Sequence, residues 1–218
     1  MELIQIMRDY SRSRLVRPGS LPSVVFRTSW CAAVGLSCLF SAFQAASVDC
    51  VPPPDGLVAW WPGEGTANDI AGTNNGVLLN NATFAPGKVG QAFSFNGNDS
   101  YIRIPDSPSL HFTAAMTIEA WIYPTSVGAF HNIVSKWDWP GANSQKAYTT
   151  ALQSDGRLVL GVCNDGDCSQ WPGGSSASVF STTLPSANQW THFAATYDGS
   201  VLLMYVNGAL EQRFLGAR

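Results

Sequence analysis

Two tryptophans flank an aspartate in Trp137-Asp138-Trp139, and a Pro-Gly pair and Asn143 follow them. Indole faces stack on the C–H surfaces of sugar rings, while carboxylate and amide groups bond to sugar hydroxyls. Trp171 lies in a second Pro/Gly-rich segment that offers the same chemistry. We therefore predict ligand-binding residues at Trp137, Asp138, Trp139, Asn143 and Trp171, most simply for carbohydrate. The alternative is that these tryptophans only cover the end of a sheet.

Two polar turns carry the oxygen ligands that calcium prefers. Asp69 and Asn74 lie in one turn, and Asn98 and Asp99 lie in the other. Calcium needs several such oxygens converging from loops, and neither segment has the spacing of an EF-hand. Asn, Asp and Gly are also the residues that tight turns require. These four residues are candidate Ca²⁺ ligands, turn chemistry remains the alternative, and we predict no other cofactor.

The sequence contains none of the residue patterns that are typical of the common hydrolases. A glycosidase needs two carboxylates on one face, but the glutamates after residue 47, which are Glu64, Glu119 and Glu211, are far apart in sequence. The three histidines occur singly, and no nucleophile-elbow, zinc-protease or phosphate-loop motif occurs. We predict that the chain is not an enzyme and that Glu119 is an outward-facing strand residue.

Cys163 and Cys168 bracket an Asn-Asp-Gly-Asp segment, which is typical of a turn. Two cysteines across such a turn can reach disulfide distance, and export would permit their oxidation. We predict a Cys163–Cys168 disulfide, with two free thiols as the alternative. A zinc site is not expected, because no second cysteine pair or histidine pair accompanies them. Cys50 has no assigned role.

The first 47 residues differ in composition from the rest. They hold five of the nine arginines, and the uncharged, apolar run Trp30–Ala46 ends in small residues. This order is typical of a secretory signal, and the run is short for a membrane span. We predict a signal peptide with a basic lead at residues 1–47, contact with a membrane only through that signal, and a secreted or cell-surface location. An uncleaved anchor remains the alternative.

Removal of the lead leaves seven basic and thirteen acidic residues, a net charge of −6. Such an acidic chain is a poor candidate for binding nucleic acid. The Cys-Val-Pro-Pro-Pro segment that follows is stiff and extended, so we assign residues 48–55 to a linker.

The remainder of the chain alternates short β-type runs with turn signals. Residues 92–96 and 116–124 alternate apolar with polar or aromatic positions, and Asp-Gly and Asn-Gly pairs separate later runs. No segment has a helical period. We predict strands at 57–62, 76–80, 92–96, 101–104, 116–124, 132–136, 147–153, 157–163, 190–198, 200–208 and 209–214. Such a pattern indicates an all-β, two-sheet antiparallel β-sandwich, or jelly roll.

The runs GLVAWWPGEG, GQAFSFNGNDSYIRI, MTIEAWIYP and WTHFAATYDGSVLLMYVNG occur in this order along the chain. Together they resemble the laminin-G-like jelly-roll family of the concanavalin-A-like lectin/glucanase superfamily, over about residues 56–214. The resemblance implies two packed antiparallel sheets and a non-catalytic secreted module, often part of a larger bacterial surface or degradative protein. Relatives bind carbohydrate, protein or Ca²⁺.

Domains of that family usually continue with further strands after the turn that Asn207-Gly208 forms here. We therefore predict that the jelly roll at 56–218 is truncated at its C-terminal strands, which leaves an open sheet edge beside its first strands, and that the chain is a fragment of a modular protein. The predicted function is an exported binding module for carbohydrate or another cell-surface ligand, with a glycan or a surface protein as partner. The alternative is a structural or adhesive spacer that acts through protein contacts.

Overall fold

The structure is a computed structural model that describes residues 53–112, 114–137, 146–163 and 176–215, and the backbone of residues 2–7. The described residues form antiparallel strands and one short 3-10 helix, Pro108–Leu110, so the prediction of an all-β fold is confirmed. The strands are β1 (Glu2–Met7), β2 (Leu57–Trp61), β3 (Val77–Leu79), β4 (Thr83–Pro86), β5 (Gln91–Ser94), β6 (Tyr101–Arg103), β7 (Met116–Ile122), β8 (His131–Trp137), β9 (Lys146–Leu152), β10 (Leu158–Cys163), β11 (Ser176–Phe180), β12 (Thr191–Tyr197), β13 (Val201–Val206) and β14 (Ala209–Leu215).

Two larger sheets form the body of the domain. The main sheet has the order β14-β13-β12-β7-β1-β5-β4, and β2 also pairs with β1. The second sheet has the order β11-β10-β9-β8, and β3 pairs with β6 in a small ribbon. Buried side chains of both larger sheets belong to one hydrophobic cluster, so the sheets pack face to face as a sandwich.

The core follows from the alternation of side chains along each strand. In β7, Ile118, Ala120 and Ile122 are buried, while Glu119 and Trp121 between them are half-buried on the opposite face. The neighbouring β12 and β13 bury alternate residues in the same way, and β9, β10 and β11 supply the facing layer. Each large apolar side chain fully buried in this way contributes about 1.5–3 kcal/mol.

Tight turns set the register of the later hairpins. Asn207 and Gly208 connect β13 to β14, and both have positive φ angles, 49° and 81°. A two-residue turn with φ positive at both positions twists in the same sense as the strands that it joins. The Asn-Gly pair in the sequence therefore marks a hairpin, as predicted.

All predicted strands overlap observed ones, but three observed strands were not predicted. These are β4, which contains a proline, β11, which follows a Gly/Ser-rich run, and β1. The sequence assigned residues 2–7 to the lead of an export signal, whereas the structure places them as a strand inside the main sheet. The signal at residues 1–47 stays a prediction.

The chain divides into two compact units, one made of residues 1–11 and 54–218 and the other of residues 12–53. Apart from Pro53, the second unit lies outside the described residues. No described helix is long and apolar enough to cross a bilayer. The predicted linker and domain boundaries therefore stay predictions.

Candidate functional site

The face of the main sheet that points away from the core is rich in aromatic side chains. We define the aromatic face by six residues. Four lie in strands, and these are Trp60 of β2, Glu119 and Trp121 of β7, and His192 of β12; the other two are Tyr123, which follows β7, and Trp190, which precedes β12. All six are half-buried. The positions of the four strand residues follow from the period of two in each strand, because the residues before and after each of them are buried.

Strand pairing brings these side chains into contact. His192 lies opposite Trp121 in the β7–β12 ladder, and their ring centroids are 5.2 Å apart. The ammonium nitrogen of the exposed Lys88 lies 5.0 Å from the centroid of the Trp121 ring, within cation–π range. Tyr123 and Trp190 form a second tilted pair, with centroids 5.3 Å apart. Contacts of this kind between neighbouring strands restrict the orientations of the two rings in each pair.

Partial burial changes the protonation chemistry of this face. Burial raises the pKa of Glu119 and lowers the pKa of His192, because each group is less stable in its charged form away from water. His192 is therefore a neutral imidazole near pH 7, with one donor and one acceptor nitrogen. In the described part of the chain, neither Glu119 nor Lys88 takes part in an ion pair. The face thus combines aromatic surfaces with donors and acceptors that a ligand can use.

The same register gives Glu119 no acidic neighbour across either ladder. Gln5 of β1 and Ala194 of β12 lie directly opposite it. A glycosidase of either stereochemistry needs a second carboxylate within about 5–10 Å. The immediate strand neighbours do not supply one, so the arrangement suits hydrogen bonding to a ligand better than acid–base chemistry.

The tryptophan loop predicted from the sequence lies mostly beyond the described residues. Trp137 is the last residue of β8, and its backbone pairs with Lys146, the first residue of β9. Asp138, Trp139, Asn143 and Trp171 lie outside the described residues. The predicted binding residues in these loops therefore stay predictions.

Asp69 and Asn74, two of the candidate calcium ligands, are buried together. Oδ1 of Asp69 accepts the backbone N–H groups of Trp60, Ala71 and Gly72 at 2.9–3.0 Å. Oδ2 accepts the backbone N–H and the side-chain amide of Asn74, both at 3.0 Å. Burial by itself would raise the pKa of Asp69, but these backbone hydrogen bonds outweigh it and lower the pKa. The carboxylate therefore organises its own loop, as the turn-chemistry alternative expects.

Asn98 and Asp99, the other two candidates, are exposed in the turn between β5 and β6. Oδ1 of Asn96 accepts their backbone N–H groups at 2.9 and 3.1 Å, and Nδ2 of Asn96 donates to Oδ1 of Asp99 at 2.8 Å. Among the described residues, no group of three His, Cys, Asp or Glu side chains is placed to hold a metal ion. Calcium binding stays a prediction.

Cys163 ends β10 and is disulfide-bonded. Cys168, its predicted partner, lies outside the described residues. The pairing of these two cysteines therefore stays a prediction.

A groove lies between the edge strands β11 and β14. It is an open groove of about 430 Å³ whose walls include Arg157, Phe180, Arg213 and Phe214. The guanidinium carbon of Arg157 lies 4.5 Å from the Phe180 ring centroid, and Asp155 pairs with the same guanidinium group at 2.7 Å. Since Asp155 already neutralises Arg157, the groove offers less free charge than its two arginines suggest.

One carboxylate fastens β14 to the loop that follows β11. Glu211 accepts hydrogen bonds from the backbone N–H and the hydroxyl group of both Thr182 and Thr183. The side-chain hydrogen bond of Thr182 is the main reason that the pKa of Glu211 falls to about 2. Glu211 is therefore a structural residue rather than a partner for Glu119.

Sequence reasoning missed Trp121, His192 and Lys88 as a group. The alternation of β7 did place Glu119 and Trp121 on the outer face. It could not show that His192 lies opposite Trp121, because that contact depends on the register between strands about seventy residues apart in sequence.

The solved structures that are similar to the chain include the following two. One is domain 4 of AbnA, a GH43 extracellular arabinanase from Geobacillus stearothermophilus, in complex with arabinotriose, with 20% identity over 69% of this chain and 70% of that chain and a TM-score of 0.48. The other is an S-layer domain-containing protein (residues 221–444) from Clostridium thermocellum ATCC 27405, with 23% identity over 72% of this chain and 71% of that chain and a TM-score of 0.42.

No curated protein matches the sequence. A family model does match it, the laminin-G-like model described as the concanavalin A-like lectin/glucanases superfamily, over residues 96–216. This match covers more than half of the chain and includes five of the six residues of the aromatic face. The chain therefore belongs to the laminin-G-like family of the concanavalin A-like lectin/glucanases superfamily.

Proposed function

We propose that this domain is an exported, non-catalytic module that binds carbohydrate on the aromatic face of its main sheet. The observation that carries the proposal is the contact of Trp121 with both His192 and Lys88, beside the half-buried Glu119. An indole ring held by neighbours can stack on a sugar ring at little cost in side-chain entropy. The imidazole, ammonium and carboxylate groups around it can bond to the hydroxyls at the rim of that sugar.

Glu119 fits a binding role better than a catalytic one. A carboxylate that is partly desolvated forms stronger hydrogen bonds to hydroxyl donors than one in water. Its strand neighbours Gln5 and Ala194 carry no acid that could act with it. Replacing Glu119 with Gln should therefore weaken glycan binding. We expect no glycan hydrolysis by the parent protein, so a variant at this position should have no hydrolysis rate to change.

Glycan-array screening of the full chain, followed by calorimetric titration with the best ligand, tests the proposal. Trp121→Ala should weaken binding about 30-fold, the effect of removing a central aromatic anchor. Trp121→Phe keeps an aromatic surface and should retain most of the affinity. Phe180→Ala, in the separate groove beside β14, is the matched control and should leave binding unchanged. Equal affinity of Trp121→Ala and the parent, with both folded by circular dichroism, would refute the aromatic face as the site.

The tryptophan loops predicted from the sequence make a competing location. A Trp137→Ala, Trp139→Ala double variant and a Trp171→Ala variant should bind normally if the aromatic face is the site. Loss of binding in those variants, combined with normal binding in Trp121→Ala, would move the carbohydrate site to the loops.

A second candidate function is an adhesive or spacer role through protein contacts, and the edge strand β14 favours it. Leu210, Phe214 and Leu215 on this strand are 55%, 40% and 63% exposed. An apolar edge strand is a surface on which another protein can pair. Replacing Leu210 and Leu215 with Lys should reduce association measured by sedimentation. Val89→Lys, at a position that is 74% exposed and off this edge, is the control.

A further inference from the structure

Three asparagines of the described chain are followed directly by glycine, and they are Asn75, Asn96 and Asn207. In such a pair the main-chain nitrogen of the glycine can attack the side-chain amide carbon of the asparagine, because glycine has no Cβ atom that hinders the approach. This reaction is one reason that asparagine is thermolabile. It needs a glycine nitrogen without a hydrogen bond, a side-chain amide that can turn toward it, and room around the pair.

The site at Asn75 is closed by its main chain. The backbone N–H of Gly76 donates to the carbonyl oxygen of Ala67 at 2.8 Å. A Cβ atom on residue 76 would lie 2.5 Å from Cγ2 of Ile102, so the surroundings are tight. Oδ1 of Asn75 also accepts the backbone N–H of Asp69 at 2.9 Å. The attacking nitrogen is therefore occupied, and a close-packed neighbourhood gives the side chain little room to move.

The site at Asn96 is closed by its side chain. Oδ1 of Asn96 accepts the backbone N–H groups of residues 98–100 at 2.9–3.2 Å and the hydroxyl group of Ser100 at 3.0 Å. Nδ2 of the same amide donates to Oδ1 of Asp99 at 2.8 Å. An amide in this position must lose several hydrogen bonds before its carbon can turn toward the nitrogen of Gly97. The glycine is open here, but the amide is held in place.

The site at Asn207 is open in all three respects. Among the described residues, neither the backbone N–H of Gly208 nor Nδ2 of Asn207 has a hydrogen-bond partner. Oδ1 accepts one hydrogen bond, from the backbone N–H of His192 at 3.0 Å. A Cβ atom on residue 208 would meet no atom within 4 Å, and both residues of this turn are exposed. The attacking nitrogen, the amide and the space around them are therefore all available in the turn between β13 and β14.

We propose that Asn207 is a site of spontaneous deamidation in the folded domain. The Gly208 nitrogen gives its proton to hydroxide and attacks Cγ of Asn207. Nδ2 takes a proton from water and leaves as ammonia, which closes a five-membered succinimide ring. A water molecule then opens the ring. Opening at Cγ gives aspartate, and opening at the main-chain carbonyl gives isoaspartate, whose main chain runs through the former side chain. Water is the only co-reactant, and no atom is oxidised or reduced.

Isoaspartate at this position changes the hairpin of β13 and β14. It adds one carbon atom to the main chain of a two-residue turn, and the geometry of such a turn sets the register of the strands that it joins. Glu211 of β14 would then no longer face the loop at Thr182 and Thr183 as it does now. Deamidation therefore loosens the edge strand β14, and it removes the Oδ1 group that accepts the N–H of His192 on the aromatic face.

The test incubates the full chain in mildly alkaline buffer at body temperature and follows each Asn-Gly pair by peptide mapping with mass spectrometry. In the folded protein, Asn207 should deamidate at least about tenfold faster than Asn75 and Asn96, because one hydrogen bond lost at those sites already costs about that factor. In concentrated urea the three rates should become similar, since all three pairs are then free. Trypsin cleavage after Arg213 should become faster in the aged protein, because β14 is loosened.

Two glycine variants provide a matched pair, because Gly97 and Gly208 both have positive φ angles, 74° and 81°, and open surroundings. Gly208→Ala should slow deamidation of Asn207 about tenfold or more, since the new Cβ atom hinders the attack. Gly97→Ala, which carries the same backbone strain, should leave the rate at Asn207 unchanged. If Gly208→Ala does not fold, Asn207→Ser should fold and show no mass increase in this turn. Faster deamidation at Asn75 or Asn96 in the folded protein, or equal rates at all three sites, would overturn the proposal.

Discussion

Asp69 offers the sharpest test of how the loop after β2 is ordered. Its two carboxylate oxygens accept five N–H groups, and the residue is 6% exposed. In Asp69→Asn the shape is kept and one oxygen remains to face Trp60, Ala71 and Gly72. The other oxygen becomes an amide donor that faces the two donors of Asn74. The substitution therefore removes two buried hydrogen bonds without opening a cavity.

The magnitude follows from those two bonds. Hydrogen bonds to a charged group contribute about 1.5–3 kcal/mol each, and bonds that share one acceptor are not additive. We expect a loss of about 3 kcal/mol in the free energy of unfolding. For a domain of this size the loss corresponds to a fall in Tm of about 6–12 °C. Thermal unfolding followed by circular dichroism at pH 7 measures it.

The dependence on pH provides a second readout. The pKa of Asp69 is lowered in the folded state from its usual 3.8, so its stabilisation is fully present above that value. The stabilisation is lost as the pH falls below 3.8 through the folded pKa, because the protonated group accepts fewer bonds. The difference in Tm between the parent and Asp69→Asn should therefore shrink at low pH.

Asp99→Asn is the matched control, since the side chain of Asp99 accepts a single hydrogen bond in an exposed turn. It should cost less than about 1 kcal/mol. If Asp69→Asn lowers Tm no more than Asp99→Asn does, the N–H groups around Asp69 do not order the loop. If Ca²⁺ raises the Tm of the parent but not that of Asp69→Asn, the calcium hypothesis explains Asp69 better.

Three further substitutions test other parts of the fold. Glu211→Gln should cost about 1 kcal/mol at pH 7 in urea unfolding, and the cost should vanish as the pH falls from 4.5 toward 2, since the pKa of Glu211 is lowered to about 2. Gly76→Ala would place a Cβ atom 2.5 Å from Cγ2 of Ile102, so it should cost about 1–3 kcal/mol in Tm measurements. Phe193→Ala, at a fully buried position, should cost about 3–5 kcal/mol, and a loss under 1 kcal/mol would contradict the packing described for β12.

Alternation along the sequence predicted most strands because one face of each is buried and the other is not. The pattern worked best for β7, where Ile118, Ala120 and Ile122 share a face. It failed for β4 and β11, which are short, lie at sheet edges and owe their strand conformation to pairing with β5 and β10. It also missed β1, because its six residues stand in a basic lead and far from the strands that it joins.

The candidate site was predictable only in part, for a similar reason. The outward position of Glu119 follows from a period of two, which is a local property of the sequence. The neighbours of Trp121 are not local, since His192 reaches it through strand register and Lys88 through the turn between β4 and β5. A single sequence carries no direct record of such long-range pairing.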